Sequence, residues 1–163
     1  MPPTPDHDAP EIDPATAEVL QAATRMLAGV ALRSLDAPEA TVTLPQFRLL
    51  AVLAGLGRVP SGQAARALGL DRSTVTRLAD RLVTAGYVVR GTDPRHRGVV
   101  TLDLTASGRD LVAAAEAWRR RELARIMGRL SPGDQAAVTA ALRLLVDAAG
   151  DDYGVAAYSL VPL

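Results

Sequence analysis

The chain has no cysteine and no lysine, and its 163 residues include one Trp, one Phe and three Tyr. Without cysteine there is no disulfide, thiolate nucleophile, thiol redox sensor or Cys-type zinc site. A reducing compartment fits. With so few aromatics the core must be Leu, Val and Ala, and the apolar share of 48% supplies them. His7 and His96 are the only histidines, too few for a metal site, so neither metal nor cofactor is expected. No stretch approaches the length of a membrane span, and the N-terminus lacks the basic-then-apolar order of a signal peptide. The expectation is a cytoplasmic protein of one domain with extensions, long enough for a sizeable core. Nucleophile-elbow, zinc-protease and phosphate-loop motifs are missing, as are paired carboxylates. The Ser-rich segment has no His or Cys beside it, so an enzyme is not expected.

All 18 basic residues are therefore arginine, matched by 18 acids. The missing lysine reads as background of an Ala-, Gly-, Val- and Arg-rich composition. The uneven placement is more informative. Residues 46 to 109 hold ten arginines and four aspartates, a charge of +6, and the remainder is at −6. A basic middle between acidic flanks suggests a polyanion partner for the middle.

Residues 1 to 13 are Pro-rich and acidic and are expected to form a disordered tail. Helical spacing starts at Pro14 and continues to about Leu35, with Val19, Leu20, Ala23, Leu27 and Val30 recurring. A loop precedes "PQFRLLAVLAGL", with Pro45 at a first helical position, Phe47, Leu50 and Ala54 inward, and Gly57 at the end. "SGQAARALG" is a short helix stopped by Gly69. Asp71 is the N-cap of the next helix, which ends near Gly86. The period then becomes two: "YVVR", a tight loop "GTDPRHRG" and "VVTLDL" make a β-hairpin. Thr105 caps a long helix to about Gly128, with Leu111, Val112, Ala115, Trp118, Ile126 and Met127 as buried candidates. "LSPGD" reads as a turn. A last helix spans about Gln135 to Ala149, with Val138, Leu142, Leu145 and Val146 on one stripe. Residues 150–163 form an apolar tail.

In "LDRSTVTRLADRL" a 100° step places Val75, Leu78, Ala79 and Leu82 on one face. Ser73, Arg77, Asp80 and Thr84 fall opposite, flanked by Thr76 and Arg81. Ala65, Gly69 and Val75 supply a small residue for helix contact, a turn and an anchor. Ala64, Leu68, Leu70 and Leu78 fill the other inward positions. This is a helix-turn-helix pattern, whose second helix enters the major groove. A plain helical bundle can imitate it. The hairpin that follows argues for a winged helix instead. Its tip carries Arg95, His96 and Arg97, and arginine suits a narrow minor groove.

The stretch "LDRSTVTRLADRLVTAGYVVR", with Asp93-Pro94, Arg97, Leu102, Leu104-Thr105 and Gly108, closely resembles the MarR family of bacterial transcription regulators. The resemblance is specific over roughly residues 45 to 110, and the flanking helices fit the family's layout. Where the family usually has Asp then Arg-Arg at the wing tip, this chain has His96, Arg97 and Gly98. It also has Gly91 where a second Arg is common. The wing is less basic than the family's, and Arg95 stands as compensation. The resemblance implies a mainly α fold with a small β-hairpin wing: a winged helix-turn-helix over residues 45–104 plus a helical dimerisation region over 14–44 and 105–149. It implies a homodimer on double-stranded DNA, and a small phenolic or anionic effector between the two regions. Terminal helices rich in Leu, Val and Ala agree, because a small winged helix cannot bury them all. Two recognition helices about 34 Å apart would read a pseudo-palindrome. Repression is the family's commoner mode.

On that basis Ser73, Thr74, Thr76 and Arg77 are expected at base edges or phosphates, with Arg77 the first choice for guanine or phosphate. Arg72 and Arg81 hold backbone phosphates. Ser61 and Gln63 donate at the start of the preceding helix. Arg95 and Arg97 are the wing contacts, and Asp93 orients Arg97 by a salt bridge. Asp80 has a structural role, pairing with Arg77 or Arg81 or holding the domain together. Arg119 to Arg121 spread over solvated faces with Glu116 and Glu122 as partners. Trp118 and Phe47 read first as core or dimer contacts. The effector candidates are Arg25, Met26, Phe47, Arg48 and Trp118, although an arginine there could equally pair with Glu18. The competing reading is a winged helix that binds protein and not DNA.

Overall fold

The computed structural model describes residues 12–35, 42–93, 96 and 98–150. The tails expected at 1–13 and 150–163 lie outside these residues apart from 12, 13 and 150. The elements run α1 (Pro14–Arg33), α2 (Leu44–Leu56), β1 (Val59–Pro60), α3 (Ser61–Leu68), α4 (Arg72–Thr84), β2 (Val88–Thr92), β3 (Val100–Leu104), α5 (Ala106–Met127) and α6 (Pro132–Ala149). No helix among the described residues is long and apolar enough to cross a membrane.

Polar side chains start every one of these helices except α3, which follows Pro60. Asp13 accepts from the Thr16 N–H and Thr105 from the Gly108 N–H, each satisfying a donor that the first turn leaves free. At α2 the Gln46 side chain reaches back to the Thr43 N–H at 2.7 Å. Ser131 caps α6. That cap places the start of α6 at Pro132, three residues before the sequence suggests. "SPGD" is not a turn between helices but a cap and first turn, where proline needs no N–H. Gly69 closes α3 with φ +65°, a left-handed conformation that a side chain would oppose.

The sheet has three strands, in the order β1-β3-β2, all antiparallel. The hairpin β2–β3 pairs Val88 with Leu104 and Thr92 with Val100. β1 was not foreseen. Two residues carry no period, and only the pairing of Val59 with Leu102 and of Pro60 with Thr101 defines it.

The core is aliphatic as composition requires. Phe47, Leu49, Leu50, Leu53, Val75, Leu82, Val88 and Leu102 are fully enclosed. Ala54, expected inward, is exposed. Helix α2 is apolar around most of its circumference, and Leu49 and Val52 take the enclosed positions instead. In contrast α1 buries only Val30 and Ala31, and α6 buries nothing within the single chain.

Gly108 ties α5 to the base of the wing. A Cβ there would overlap the Tyr87 carbonyl oxygen, a backbone atom that cannot swing aside. Gly108→Ala should therefore lower the unfolding free energy by about 1–3 kcal/mol, the usual cost of overpacking. Gly133→Ala, with only the Ser131 hydroxyl within 3.9 Å, should be neutral or stabilising in the same urea titration.

Candidate nucleic-acid interface

Helix α4 buries Val75, Leu78, Ala79 and Leu82 and leaves Arg72, Ser73, Thr76, Arg77, Asp80, Arg81 and Thr84 exposed. That division follows from the 3.6 period of its sequence. Its N-terminus is held by Asp71. One carboxylate oxygen accepts from the Thr74 N–H at 2.8 Å and from the Ser73 hydroxyl at 2.6 Å. The other accepts from the Thr74 hydroxyl at 2.6 Å. The same hydroxyl then accepts from Arg77 Nη2 at 3.1 Å. A chain of polar contacts thus runs from the cap to Arg77 and orients its guanidinium at the open face.

The hydroxyl hydrogens of Ser73 and Thr76 are already engaged, the latter with the Arg72 carbonyl at 2.8 Å. In this arrangement both oxygens present lone pairs outward. They can accept from a base amino group, whereas a phosphate needs a donor. Arg72, Arg77 and Arg81 are the donors of this face. The Arg72 guanidinium lies against Gly62 in the first turn of α3, where a Cβ would sit 3.3 Å from Nε. Arg72 is thereby packed against the first turn of α3, the turn that carries the half-buried Ser61 and Gln63.

Asp80 does not pair with Arg77 or Arg81. Its Oδ1 lies 2.7 Å from Nη1 of Arg90, on β2, and Arg90 Nη2 donates to the Thr76 carbonyl at 3.3 Å. Arg77 is held by Thr74 instead. Arg90 was missed in the sequence. Strand alternation was the available signal, since it places Arg90 on the side of buried Val88, which packs toward α4.

At the wing, the Asp93 N–H donates to the Val99 carbonyl at 2.9 Å, and exposed His96 continues the loop. Pro94, Arg95 and Arg97 lie outside the described residues, and with them both wing contacts and the Asp93–Arg97 pair. Gly91 stands opposite Thr101, and a Cβ there would come within 3.0 Å of that buried hydroxyl. An arginine at 91 would press on it. The base of the hairpin is fixed by the Thr105 hydroxyl donating to the Gly86 carbonyl at 2.7 Å.

A cleft of about 390 Å³ between α1 and α5 brings together Arg25, Met26 and Trp118 with Arg33, Glu122 and Arg129. Phe47 and Arg48 do not join it. Phe47 is fully enclosed in the core, and Arg48 Nη2 lies 3.5 Å from the Leu68 carbonyl at the end of α3. The arginine run is not all solvated either. Arg119 is buried with its guanidinium 5.4 Å from the centre of the Phe47 ring. Glu116 pairs with Arg120, whereas Glu122 pairs with Arg125, one turn on. The Arg125 hydrogen bonds hold the Glu122 carboxyl below its ordinary range.

The hydroxyls of Ser73 and Thr74, then the Thr74 N–H, hold the Asp71 carboxyl well below the usual carboxylate range. A group depressed by folding stabilises above its unfolded pKa, near 3.9, and that contribution is lost as pH falls toward the folded value. The melting-temperature gap between the wild type and Asp71→Asn should accordingly be present at pH 7 and shrink steadily below about pH 4. A gap independent of pH would contradict this account of the cap.

Comparison with known proteins gives a consistent result. Residues 40–97 match the family model described as MarR family. The HTH-type transcriptional repressor NicR of Pseudomonas putida is 29% identical over 112 residues, covering 69% of this chain and 71% of that one. The crystal structure of RV1404 from Mycobacterium tuberculosis superposes with a TM-score of 0.80 at 31% identity, over 88% of this chain and 98% of that one. Streptococcus pneumoniae FabT, crystallised in complex with DNA, shares the fold with a TM-score of 0.67 at 20% identity, over 80% and 92%. Helix-turn-helix, wing and relatives agree that the chain belongs to the MarR family of winged helix-turn-helix transcriptional regulators.

Proposed function

We propose that this protein works as a homodimer that represses transcription by binding pseudo-palindromic operators, and that a small anionic ligand releases it. One observation carries the reading. Helix α4 buries every residue of its apolar stripe and turns Arg72, Arg77 and Arg81 to solvent, with hydroxyl acceptors between them. Arginine donors at helical spacing suit guanine edges and phosphates. In this reading Arg77 reaches a base edge with Ser73, Thr74 and Thr76. Arg72, Ser61, Gln63 and Arg81 hold phosphates, and Arg95 and Arg97 enter the minor groove.

The dimer reading rests on α6, where Leu142, Leu145 and Val146 are 43%, 50% and 46% exposed and Leu144 is 71% exposed. A helix that buries nothing in its own chain needs a partner, and a two-fold copy supplies the same stripe. Residues 14–44 and 105–149 are accordingly assigned to dimerisation and 45–104 to DNA. NicR is named a repressor and FabT is seen on DNA, which supports the same role here. The α1–α5 cleft, with Arg25, Arg33 and Arg129 around Met26 and Trp118, suits an anion with an apolar body. The reading assigns the chain no reaction to catalyse, and a cytoplasmic location goes with it.

Arg77→Ala should weaken operator binding about 10- to 100-fold at moderate salt, the worth of one good base contact. Arg81→Ala should weaken all duplexes alike and reduce the salt slope by about one. Operator affinity unchanged by Arg77→Ala, measured by fluorescence anisotropy, would remove α4 from the interface.

A further inference from the structure

Asp80 is the single acid of α4, and it lies on the exposed side of the helix. A carboxylate facing a duplex is repelled by phosphates, so its presence calls for a second role. Arg90 supplies one. Its guanidinium grips α4 at two points a turn apart, the Asp80 carboxylate at 2.7 Å and the Thr76 carbonyl at 3.3 Å. Arg90 belongs to β2, the first strand of the hairpin, and is in register with Leu102 of β3. A planar fork with two contacts resists rotation in a way that a single charge contact does not. The hairpin and α4 are joined otherwise only at the foot, by the Tyr87 turn and the Thr105 hydroxyl on the Gly86 carbonyl, and by apolar packing, which is not directional.

We infer that Arg90 and Asp80 form a positioning clamp that sets the angle between the recognition helix and the wing, so that both grooves are engaged at once. The inference rests on the DNA-binding reading above. Arg90 is in this view a brace and not a phosphate ligand. Both side chains are substantially exposed, at 37% and 55%, so the pair adds little to stability and its loss leaves the fold intact. Its effect is on preorganisation. Without the clamp, ordering helix and wing draws on the binding energy itself.

The sign of one substitution separates this from simple electrostatics. Asp80→Asn removes a negative charge from a face that meets phosphates. Coulomb attraction alone then gives tighter binding and a steeper salt dependence. The clamp gives weaker operator binding, by about tenfold, with affinity for a scrambled duplex unchanged or raised, within the coupling range of contacting residues. The experiment titrates the full-length wild type, Asp80→Asn, Arg90→Gln and the exchange Asp80→Arg with Arg90→Asp against operator and scrambled duplexes at two salt concentrations. Melting temperatures are recorded alongside. The expected result is loss of discrimination in both single variants at unchanged melting temperature, with most of the loss recovered in the exchange. Asp80→Asn binding the operator as tightly as the wild type or tighter would overturn the clamp. So would an exchange variant no better than the singles. A wild type that binds no duplex at all would overturn the DNA reading itself, and the clamp with it.

Discussion

The enclosure of Val75, Leu78, Ala79 and Leu82 between α2, α3 and β2 is the constraint on which the rest depends. Fully burying an aliphatic side chain contributes about 1.5–3 kcal/mol relative to leaving it in water. A rotation of α4 by one residue would expose part of that stripe and bury either Thr76 and Asp80 or Thr74, Arg77 and Arg81 in its place. The apolar face therefore fixes the roll of the helix, and the roll fixes which side chains meet a ligand. Functional residues on α4 need contribute nothing to the core. They are selected by geometry that the core has already determined.

Polar contacts refine that placement. Asp71 closes the helix start and, through Thr74, steadies Arg77. Arg90 ties the wing to the middle of the same helix. Thr105 and Gly108 lock the foot of the wing to α5. Arg119, stacked near Phe47, joins α5 to the centre of the winged helix as well. The helix that forms one wall of the α1–α5 cleft thus has two connections to the winged helix.

Much of this was legible in the sequence because it depends on local period and local chemistry. The stripe of α4, the Asp71 and Thr105 caps, the left-handed Gly69 and the hairpin all follow from residues a few positions apart. What was not legible depends on distant pairing. Strand β1 is defined only by its pairing with β3, Val59 opposite Leu102 and Pro60 opposite Thr101. Asp80 was given either a neighbour on its own helix or a part in holding the domain together. The second is what the structure has, with Arg90 reaching it from the next element, a partner that local spacing does not name. Phe47 was read as inward and is enclosed, although it was also kept among the effector candidates. Ala54 was misplaced because α2 is apolar nearly all round, and periodicity does not say which of its sides is enclosed. Arg119 was grouped with its solvated neighbours because a run of arginines hides which one turns inward. The family resemblance supplied the expectation of a dimer on a pseudo-palindromic operator, which no spacing within one chain encodes.

Selection from random duplex DNA by the purified protein, with the enriched sequence retitrated across salt, tests the central claim most directly. Two recognition helices related by a two-fold axis predict an enriched pseudo-palindrome with half-sites about one turn apart, and an affinity that falls steeply with salt as counterions are no longer released to advantage. Enrichment of nothing, with no salt-dependent binding to any duplex, would contradict the account and leave the arginine face of α4 to a protein partner.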